Sequence, residues 1–114
     1  MHANTNSTLV ARQCEFKECD GGLSSYQNTI SHFHDCTFHA NRVFGLFVDE
    51  SIVHLHGEAT AIHTNEHHGI FAQSSEISSA KVFIHLPSHH NTFYNNGRDD
   101  RNAQNGATIT NVED

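Results

Sequence analysis

Histidine is the residue type in this chain with the greatest capacity for chemistry. The 114 residues include 12 histidines. His54 and His56 are separated by one residue, so on a β-strand their side chains would point to the same face. Imidazole nitrogens bind Zn²⁺ and other transition metals, and imidazole also changes charge near neutral pH. Metal binding and proton-linked stability are therefore the first chemistries that the sequence suggests.

Other histidines recur at equivalent positions of an internal repeat, which is described below. Neighbouring strands of a sheet lie about 4.8 Å apart, so two such imidazoles could share a metal ion. No matching carboxylate or thiolate accompanies them, and a repeat copies surface residues without chemical purpose. We therefore expect solvated histidine ladders and no cofactor. The residues that would contribute to a metal site are His39, His54, His56, His63 and His85.

Stacked imidazoles have a consequence even without a metal. Protonation would place like charges about one strand spacing apart, so the outward pairs should have lowered pKa values. The folded chain would then bind fewer protons than the unfolded chain. The sequence therefore predicts that stability falls below pH ~6.5.

Asp99 and Asp100 are the candidates for catalysis. They belong to residues 97–105, which interrupt the repeat and are predicted to form a loop insertion. Loops that project from a rigid scaffold commonly carry function.

Phe47 and Phe71 are the candidates for an interface, because both are predicted to be outward and stacked as an exposed aromatic pair. The alternative for this pair is a cross-strand contact that only stabilises the sheet.

The elements that must position these residues follow from the repeat. Each of four segments contains a small residue, then Phe or Ile, and ends in Asn or Cys. The first three are followed by a glycine and an aliphatic residue, and these glycines are almost evenly spaced. Helical repeats usually need longer periods, whereas short alternating apolar stretches indicate strands with one buried face. The segments are residues 14–19, 36–41, 60–65 and 91–96, and the glycines are Gly22, Gly45 and Gly69.

This pattern resembles the parallel β-helix repeat of the pectate-lyase-like superfamily, in which Asn occupies a tight turn and a Gly-aliphatic pair opens the next strand. The resemblance covers roughly residues 9–110. It implies an all-β fold, a short right-handed parallel β-helix (β-solenoid) of about four coils with roughly 22–24 residues per coil. No specific member of the superfamily is identified. Lyases, hydrolases, epimerases and adhesins share such repeats, so the resemblance implies a fold and not an activity.

Asp99 and Asp100 are similar to the paired acids of the polygalacturonase branch of that superfamily. The rest of such a site is a histidine–glycine pair and a basic pair on successive coils. His56 and Gly57 would supply the first, yet no basic partner matches them. A pectate-lyase site would need aligned carboxylates for Ca²⁺, and the acids of this chain do not align. We therefore expect that the chain is not an enzyme.

Stacking the repeats predicts two structural ladders at the turns. Asn amides that lie above one another can bond to the coils above and below, and Asn tolerates left-handed backbone angles. Glycines after the turn would give the backbone freedom. The asparagine ladder is Asn41, Asn65 and Asn96, with Cys19 in the first coil, and the glycine ladder is Gly22, Gly45 and Gly69.

The inward residues should form three further columns. The register of the strand around Ile30 to Phe33 cannot be fixed from the repeat. The first column is Phe16, Phe38, Ile62 and Phe93, the second is Leu23, Leu46, Ile70 and Ala107, and the third pairs Val53 with Val82 and Leu55 with Ile84.

The composition limits the classes of partner that the chain is expected to bind. A formal charge of −7 with six Lys and Arg argues against a nucleic-acid footprint or an anionic membrane surface as the partner. The longest apolar runs, such as residues 44–48, are far shorter than the roughly 20 residues of a membrane span. Three cysteines are an odd number, so a disulfide framework is not expected. The length fits one domain over residues 1–114, or a fragment of a longer repeat array.

These features favour a non-catalytic β-helix module that presents a surface for self-association, a protein partner or a glycan. Open coil ends expose unpaired strand edges, so we expect a homo-oligomer formed through the ends or through the aromatic pair. The alternative is a remnant or fragment of a polysaccharide lyase or hydrolase, and a third hypothesis is a histidine-rich metal-binding surface. The sequence identifies neither the ligand nor the compartment.

Overall fold

The computed structural model describes the backbone of residues 2–3, 8–19, 21–26, 29–76, 78–86 and 92–112, and the side chains of these residues except 2–3 and 21–26. Within these ranges the chain forms strands, turns and bends, and no helix. No described helix could therefore cross a membrane. The strands are β1 (His2–Ala3), β2 (Thr8–Arg12), β3 (Glu15–Lys17), β4 (Gly21–Tyr26), β5 (Ile30–His34), β6 (Thr37–His39), β7 (Phe44–Asp49), β8 (Ile52–His56), β9 (Ala61–His63), β10 (Ile70–Gln73), β11 (Lys81–His85), β12 (Phe93–Tyr94), β13 (Arg101–Gln104) and β14 (Thr108–Asn111).

The strands form three sheets, and every strand pair is parallel. Sheet A has the order β1-β4-β7-β10-β13, sheet B has the order β2-β5-β8-β11-β14, and sheet C has the order β3-β6-β9-β12. The chain visits sheets B, C and A in turn and then returns to the next strand of sheet B. We call one such passage a rung. The predicted all-β architecture with parallel strands is confirmed, and the topology is compatible with a β-solenoid.

The rungs are regular at first and longer later. Thr8 pairs with Ile30, and Ile30 pairs with Ile52, so the first two steps along sheet B are equal in length. Ile52 then pairs with Lys81, which makes the third step longer than either of these. The additional residues of this step fall in the connection from β8 to β9, residues 57–60, and mainly in the connection from β10 to β11, residues 74–80.

The segment 97–105, predicted as a loop insertion, is corrected by the strand pairing. Its residues Arg101–Gln104 form β13, and Arg101 pairs with Ile70 of β10. The connection from β12 to β13 is as long as the connection from β9 to β10, so the period holds here. The expected counterpart of Ile70 was Ala107, and that alignment is wrong. The misalignment arose because Arg101 occupies a position where earlier rungs carry an aliphatic residue.

The core lies between the three sheets and consists of inward columns. In sheet C, Phe16, Phe38, Ile62 and Phe93 pair in order. In sheet B, the columns contain Val53 with Val82 and Leu55 with Ile84, and the structure adds Ser31 and Phe33 of β5 to them. Burying each large apolar side chain contributes about 2 kcal/mol, so the middle rungs supply most of the stability. The side chains with zero exposure include Phe33, Phe38, Leu46, Val48, Val53, Leu55, Ile62, Ile70, Val82 and Ile84.

Most strands are followed by a residue with left-handed backbone angles, which turns the chain towards the next sheet. After the strands of sheet C these residues are Glu18, Ala40, Thr64 and Asn95, with φ between 55° and 57°. Each directly precedes a position of the asparagine ladder. The left-handed conformation therefore lies one residue before the ladder, and tolerance of that conformation is not the reason for asparagine at Asn41 and Asn65.

The asparagine ladder is held together by side-chain amides. Nδ2 of Asn41 donates to Oδ1 of Asn65, and Nδ2 of Asn65 donates to Oδ1 of Asn96, both at 2.9 Å. Each Oδ1 also accepts the backbone N–H of the residue below it, and Cys19 N–H donates to Asn41 at the end of the ladder. Asn41 and Asn65 are only 1% and 2% exposed. These bonds satisfy polar groups that would otherwise be buried without partners.

Gly45 and Gly69 lie directly against this ladder, and their role is steric. A Cβ atom on Gly45 would lie 2.7 Å from Nδ2 of Asn65 and 2.8 Å from the carbonyl oxygen of Gly69. A Cβ atom on Gly69 would lie 3.0 Å from Nδ2 of Asn96. The sequence predicted glycine here because it would give the backbone freedom after the turn. The structure gives a different reason, because a Cβ atom would not fit at these positions. Gly22 lies in β4, between Gly21, which pairs with Phe44, and Leu23, which pairs with Leu46.

Candidate functional site

Asp99 and Asp100 contribute mainly through their backbone. The carbonyl oxygen of Asp99 accepts the N–H of Gly69 at 3.0 Å, and that of Asp100 accepts the N–H of Ile70 at 2.9 Å. Oδ1 of Asp100 accepts a hydrogen bond from Asn96 at 3.1 Å. Both aspartates are exposed. They thus connect β13 to its neighbouring rung.

The structure does not bring the other expected catalytic groups to these aspartates. His56, with Gly57 after it, ends β8 in sheet B, whereas the aspartates precede β13 in sheet A. The nearest described imidazole contact is Nδ1 of His68, 3.9 Å from Oδ2 of Asp99. A groove of about 410 Å³ lies instead beside the starts of β5, β8 and β11, and its described lining includes Ile30, Ile52 and Lys81 but neither aspartate.

Phe47 and Phe71 are paired residues on the outer face of sheet A. Their ring centroids are 5.8 Å apart, and the ring planes are inclined by 52°. Phe44 joins them at 4.9 Å from Phe71 and 5.7 Å from Phe47, and His68 lies 5.9 Å from Phe44. All four rings are partly exposed. We call these four residues the aromatic face; the repeat alignment placed only Phe47 and Phe71 in it.

His39 and His63 occupy one outward column of sheet C. Their ring centroids are 4.9 Å apart, Tyr94 stacks on His63 at 4.4 Å, and Lys17 pairs with His39 on the other side. Nε2 of His39 lies 3.0 Å from a carboxylate oxygen of Glu15, and Nδ1 of His63 lies 2.7 Å from the hydroxyl oxygen of Thr64. These contacts already engage one nitrogen of each ring. Burial, with a smaller effect of His39, lowers the pKa of His63.

Five histidines form an array on the outer face of sheet B. His32 pairs with His54 in one column, and His34, His56 and His85 pair in the adjacent column. Along the strands these columns are two positions apart, so all five side chains leave the same face. We call them the histidine array. His54, His56 and His85 were candidates from the sequence, whereas His32 and His34 were missed because the register of β5 could not be fixed.

The rings of the histidine array are stacked nearly parallel. Centroid distances within the columns are 4.6 Å for His32 and His54, 4.5 Å for His34 and His56, and 4.3 Å for His56 and His85, with interplanar angles of 9° to 10°. All five side chains are partly buried. Each ring is therefore held by neighbours above or below it, which restricts its rotation.

Ring nitrogens also approach one another between the two columns. Nδ1 of His32 lies 3.3 Å from Nε2 of His56, and Nδ1 of His54 lies 2.9 Å from Nε2 of His85. One potential ligand atom from each of His32, His54 and His56 lies within 4.8 Å of the other two. Among the described residues this is the group of three side chains that could hold a metal ion.

Three imidazoles of the array, those of His34, His54 and His56, have lowered pKa values. Burial and then the charge of His85 are the largest causes that lower the pKa of His56, to about 4. Burial and His32 lower the pKa of His54, and burial and Arg12 lower that of His34. The common cause is that a half-buried charge loses solvation and also faces like charges on neighbouring strands.

The cysteines add no candidate chemistry. Cys14, Cys19 and Cys36 are free thiols. Cys36 is fully buried, and burial raises the pKa of its thiol, which lowers its reactivity. Cys19 takes the place of an asparagine at the end of the ladder, where only its backbone N–H takes part.

No protein-family model, curated protein or solved structure matches the chain. Three surfaces stand out: the aromatic face on sheet A, the histidine array on sheet B, and the ends of the stacked sheets.

Proposed function

We propose that the chain is a short right-handed parallel β-helix, a β-solenoid of about four coils, that functions as a non-catalytic module through self-association. The cyclic order of the three parallel sheets supports this architecture. A stack of this kind buries its inner columns against the next rung, and its two ends need a partner or a cap.

The observation that carries the proposal is the incomplete burial of the first rung. Phe38 and Ile62 in the middle of the sheet C column have zero exposure, whereas Phe16 at its start remains partly exposed. Leu9 of β2 is likewise only partly buried. Among the described strands, β2 and β3 at this end are paired on one side only, as are β12, β13 and β14 at the opposite end. Partly exposed apolar side chains and free strand edges at this end favour contact with a second copy.

The opposite end of the stack carries a polar cap. The guanidinium of Arg101 lies 4.9 Å from the centroid of the Phe93 ring, and its Nη2 donates to Oδ1 of Asn111. Nδ2 of Asn111 in turn donates to the carbonyl oxygen of Leu86 at 2.8 Å. These contacts cover part of the core at this end, where Phe93, Ala107 and Ile109 stay partly buried, and burial lowers the pKa of Arg101. Self-association is thus favoured at the end that contains Leu9 and Phe16.

Two copies that meet through the same end would form a symmetric dimer, in which both copies use the same patch. The arrangement uses the free edge of β2. Gln13 N–H donates to His34 across the β2–β5 pair, and N–H groups alternate between the two sides of a strand, so the N–H of Val10 points to the free edge. Val10 is 53% exposed.

Val10→Pro tests this interface because it removes that N–H without removing a bond of the β2–β5 pair. Val10→Ala is the matched control, since it shortens the side chain and keeps the N–H. We expect light scattering over a concentration series to give a dimer for wild type and Val10→Ala. For Val10→Pro we expect the dissociation constant to rise by about tenfold or more, which corresponds to the loss of about 1.4 kcal/mol. A wild-type chain that stays monomeric at all concentrations would contradict the proposal.

The aromatic face favours a second function, the binding of a protein partner or glycan. Three phenylalanines on a polar sheet surface, with ring centroids 4.9 to 5.8 Å apart, can stack against a sugar ring or an apolar side chain. Affinity electrophoresis in gels that contain soluble neutral or acidic polysaccharides tests the glycan. Retardation that Phe71→Ser abolishes would support it, whereas release of new reducing ends would support the polysaccharide-enzyme alternative.

A further inference from the structure

The histidine array contains three imidazoles that converge from two neighbouring strands. His32 lies on β5, and His54 and His56 lie on β8. We propose that His32, His54 and His56 bind one divalent transition metal ion, such as Zn²⁺, on the outer face of sheet B. This site shares no residue with the aromatic face or with Leu9 and Phe16, although His32 pairs with Val10 of β2.

The spacing of the nitrogens suits a tetrahedral metal. Two ligand nitrogens that each lie about 2.0–2.1 Å from Zn²⁺ at a tetrahedral angle are about 3.3 Å apart. Nδ1 of His32 and Nε2 of His56 are 3.3 Å apart. One nitrogen of His54 lies within 4.8 Å of a nitrogen of each of the other two rings, so the three rings must move closer together for all of them to bind one ion. A metal at this point would replace the contact between His32 and His56.

A neighbouring histidine holds His54 in place. Nδ1 of His54 and Nε2 of His85 are 2.9 Å apart. When Nδ1 of His54 donates to His85, the other nitrogen of His54 keeps its lone pair for the metal. Metal-binding histidines usually have such a second partner, which fixes the tautomer and the ring orientation. Phe83 stacks on the same ring at 5.0 Å and restricts it further.

The donor set selects the class of metal. Three neutral imidazoles suit Zn²⁺, Cu²⁺ and Ni²⁺, whereas Ca²⁺ and Mg²⁺ require oxygen ligands. Three protein ligands would leave a fourth position for water. Arg12 pairs with His34 at the edge of the array, and its positive charge would repel the positively charged metal ion.

Isothermal titration of tag-free, chelator-treated chain with Zn²⁺ tests the site. We expect one equivalent to bind to wild type. His54→Phe and His56→Phe should each weaken binding by about 100-fold or more, because they remove a ligand and keep an aromatic ring in the stack. Phe83, in the His54 column, shows that this column accepts phenylalanine. His63→Phe is the matched control, since it makes the same change in the stacked column of sheet C and should leave the affinity unchanged.

A second readout identifies the ligands. Electron paramagnetic resonance of the Cu²⁺-loaded chain should show hyperfine splitting from imidazole nitrogens, and His54→Phe should remove one nitrogen. Circular dichroism of the metal-free variants establishes that they fold. Failure of folded wild type to bind Zn²⁺ would overturn the proposal. Binding that is equally strong in His54→Phe and His56→Phe, or equally weakened in His63→Phe, would also overturn it.

Discussion

Nδ1 of His32 lies 3.3 Å from Nε2 of His56, although the two residues are 24 positions apart along the chain. The contact exists because β5 and β8 pair in the register that places His32 directly beside His54, two positions before His56 on the same strand. The even-numbered residues of both strands point outward. The strand repeat has therefore brought one pair of imidazole nitrogens to a distance close to that between two ligands of a tetrahedral metal ion.

The first prediction concerns pH. His34, His54, His56 and His63 have lowered pKa values because they are partly buried, and charged neighbours add to the effect. Between pH ~6.5 and ~4 the unfolded chain thus binds more protons than the folded chain, so the free energy of unfolding decreases as pH falls through this range. We expect the thermal midpoint, measured with a chelator present, to drop by roughly 5 °C or more from pH 7 to pH 5.

The control for this prediction is His56→Phe. The pKa of His56 is lowered to about 4, so its removal should flatten the pH dependence more than removal of any other histidine. Equal thermal midpoints of the wild-type chain at pH 7 and pH 5 would contradict the explanation.

The second prediction concerns the asparagine ladder. Asn65 bonds to Asn41 on one side and Asn96 on the other, and its Nδ2 also donates to the carbonyl oxygen of Phe38. Asn65→Ala would leave buried polar groups on both neighbouring rungs without partners, so we expect a loss of about 3 kcal/mol in unfolding free energy. Asn96→Ala, at the partly exposed end, should cost about half as much. Urea denaturation measures both, and a larger loss for Asn96→Ala would be inconsistent with this account.

The repeat made much of the fold predictable. The column Phe16, Phe38, Ile62 and Phe93 and the pairs His39–His63 and His56–His85 could be aligned because small residues and glycines mark each rung. The alignment of the repeats failed where a rung departs from this pattern of small residues and glycines. Arg101 occupies an inward position as a cap, and Ser31 replaces an apolar residue in β5. Without the β5 register, neither His32 nor His34 could be placed in the array.

The third prediction follows from Ser31. Its side chain has zero exposure, it lies in the apolar column with Val53, and its hydroxyl has no hydrogen-bond partner among the described residues. Ser31→Ala should therefore increase the unfolding free energy by about 1 kcal/mol. Thr60→Val provides the contrast, because the buried hydroxyl of Thr60 donates to the carbonyl oxygen of His56 at 2.6 Å. That variant should lose about 1 kcal/mol. If both variants changed stability in the same direction, the burial argument would fail.

The last prediction separates ring stacking from ring orientation in the histidine array. His85 and His34 both stack on His56, at 4.3 Å and 4.5 Å, but only His85 also contacts a nitrogen of His54. His85→Phe keeps the stack and removes that nitrogen, so the affinity for Zn²⁺ should fall by about tenfold. His34→Phe keeps the stack and removes no such contact, so it should change the affinity by less than about threefold. Titration calorimetry compares the two variants, and equal affinities would show that His85 does not orient His54.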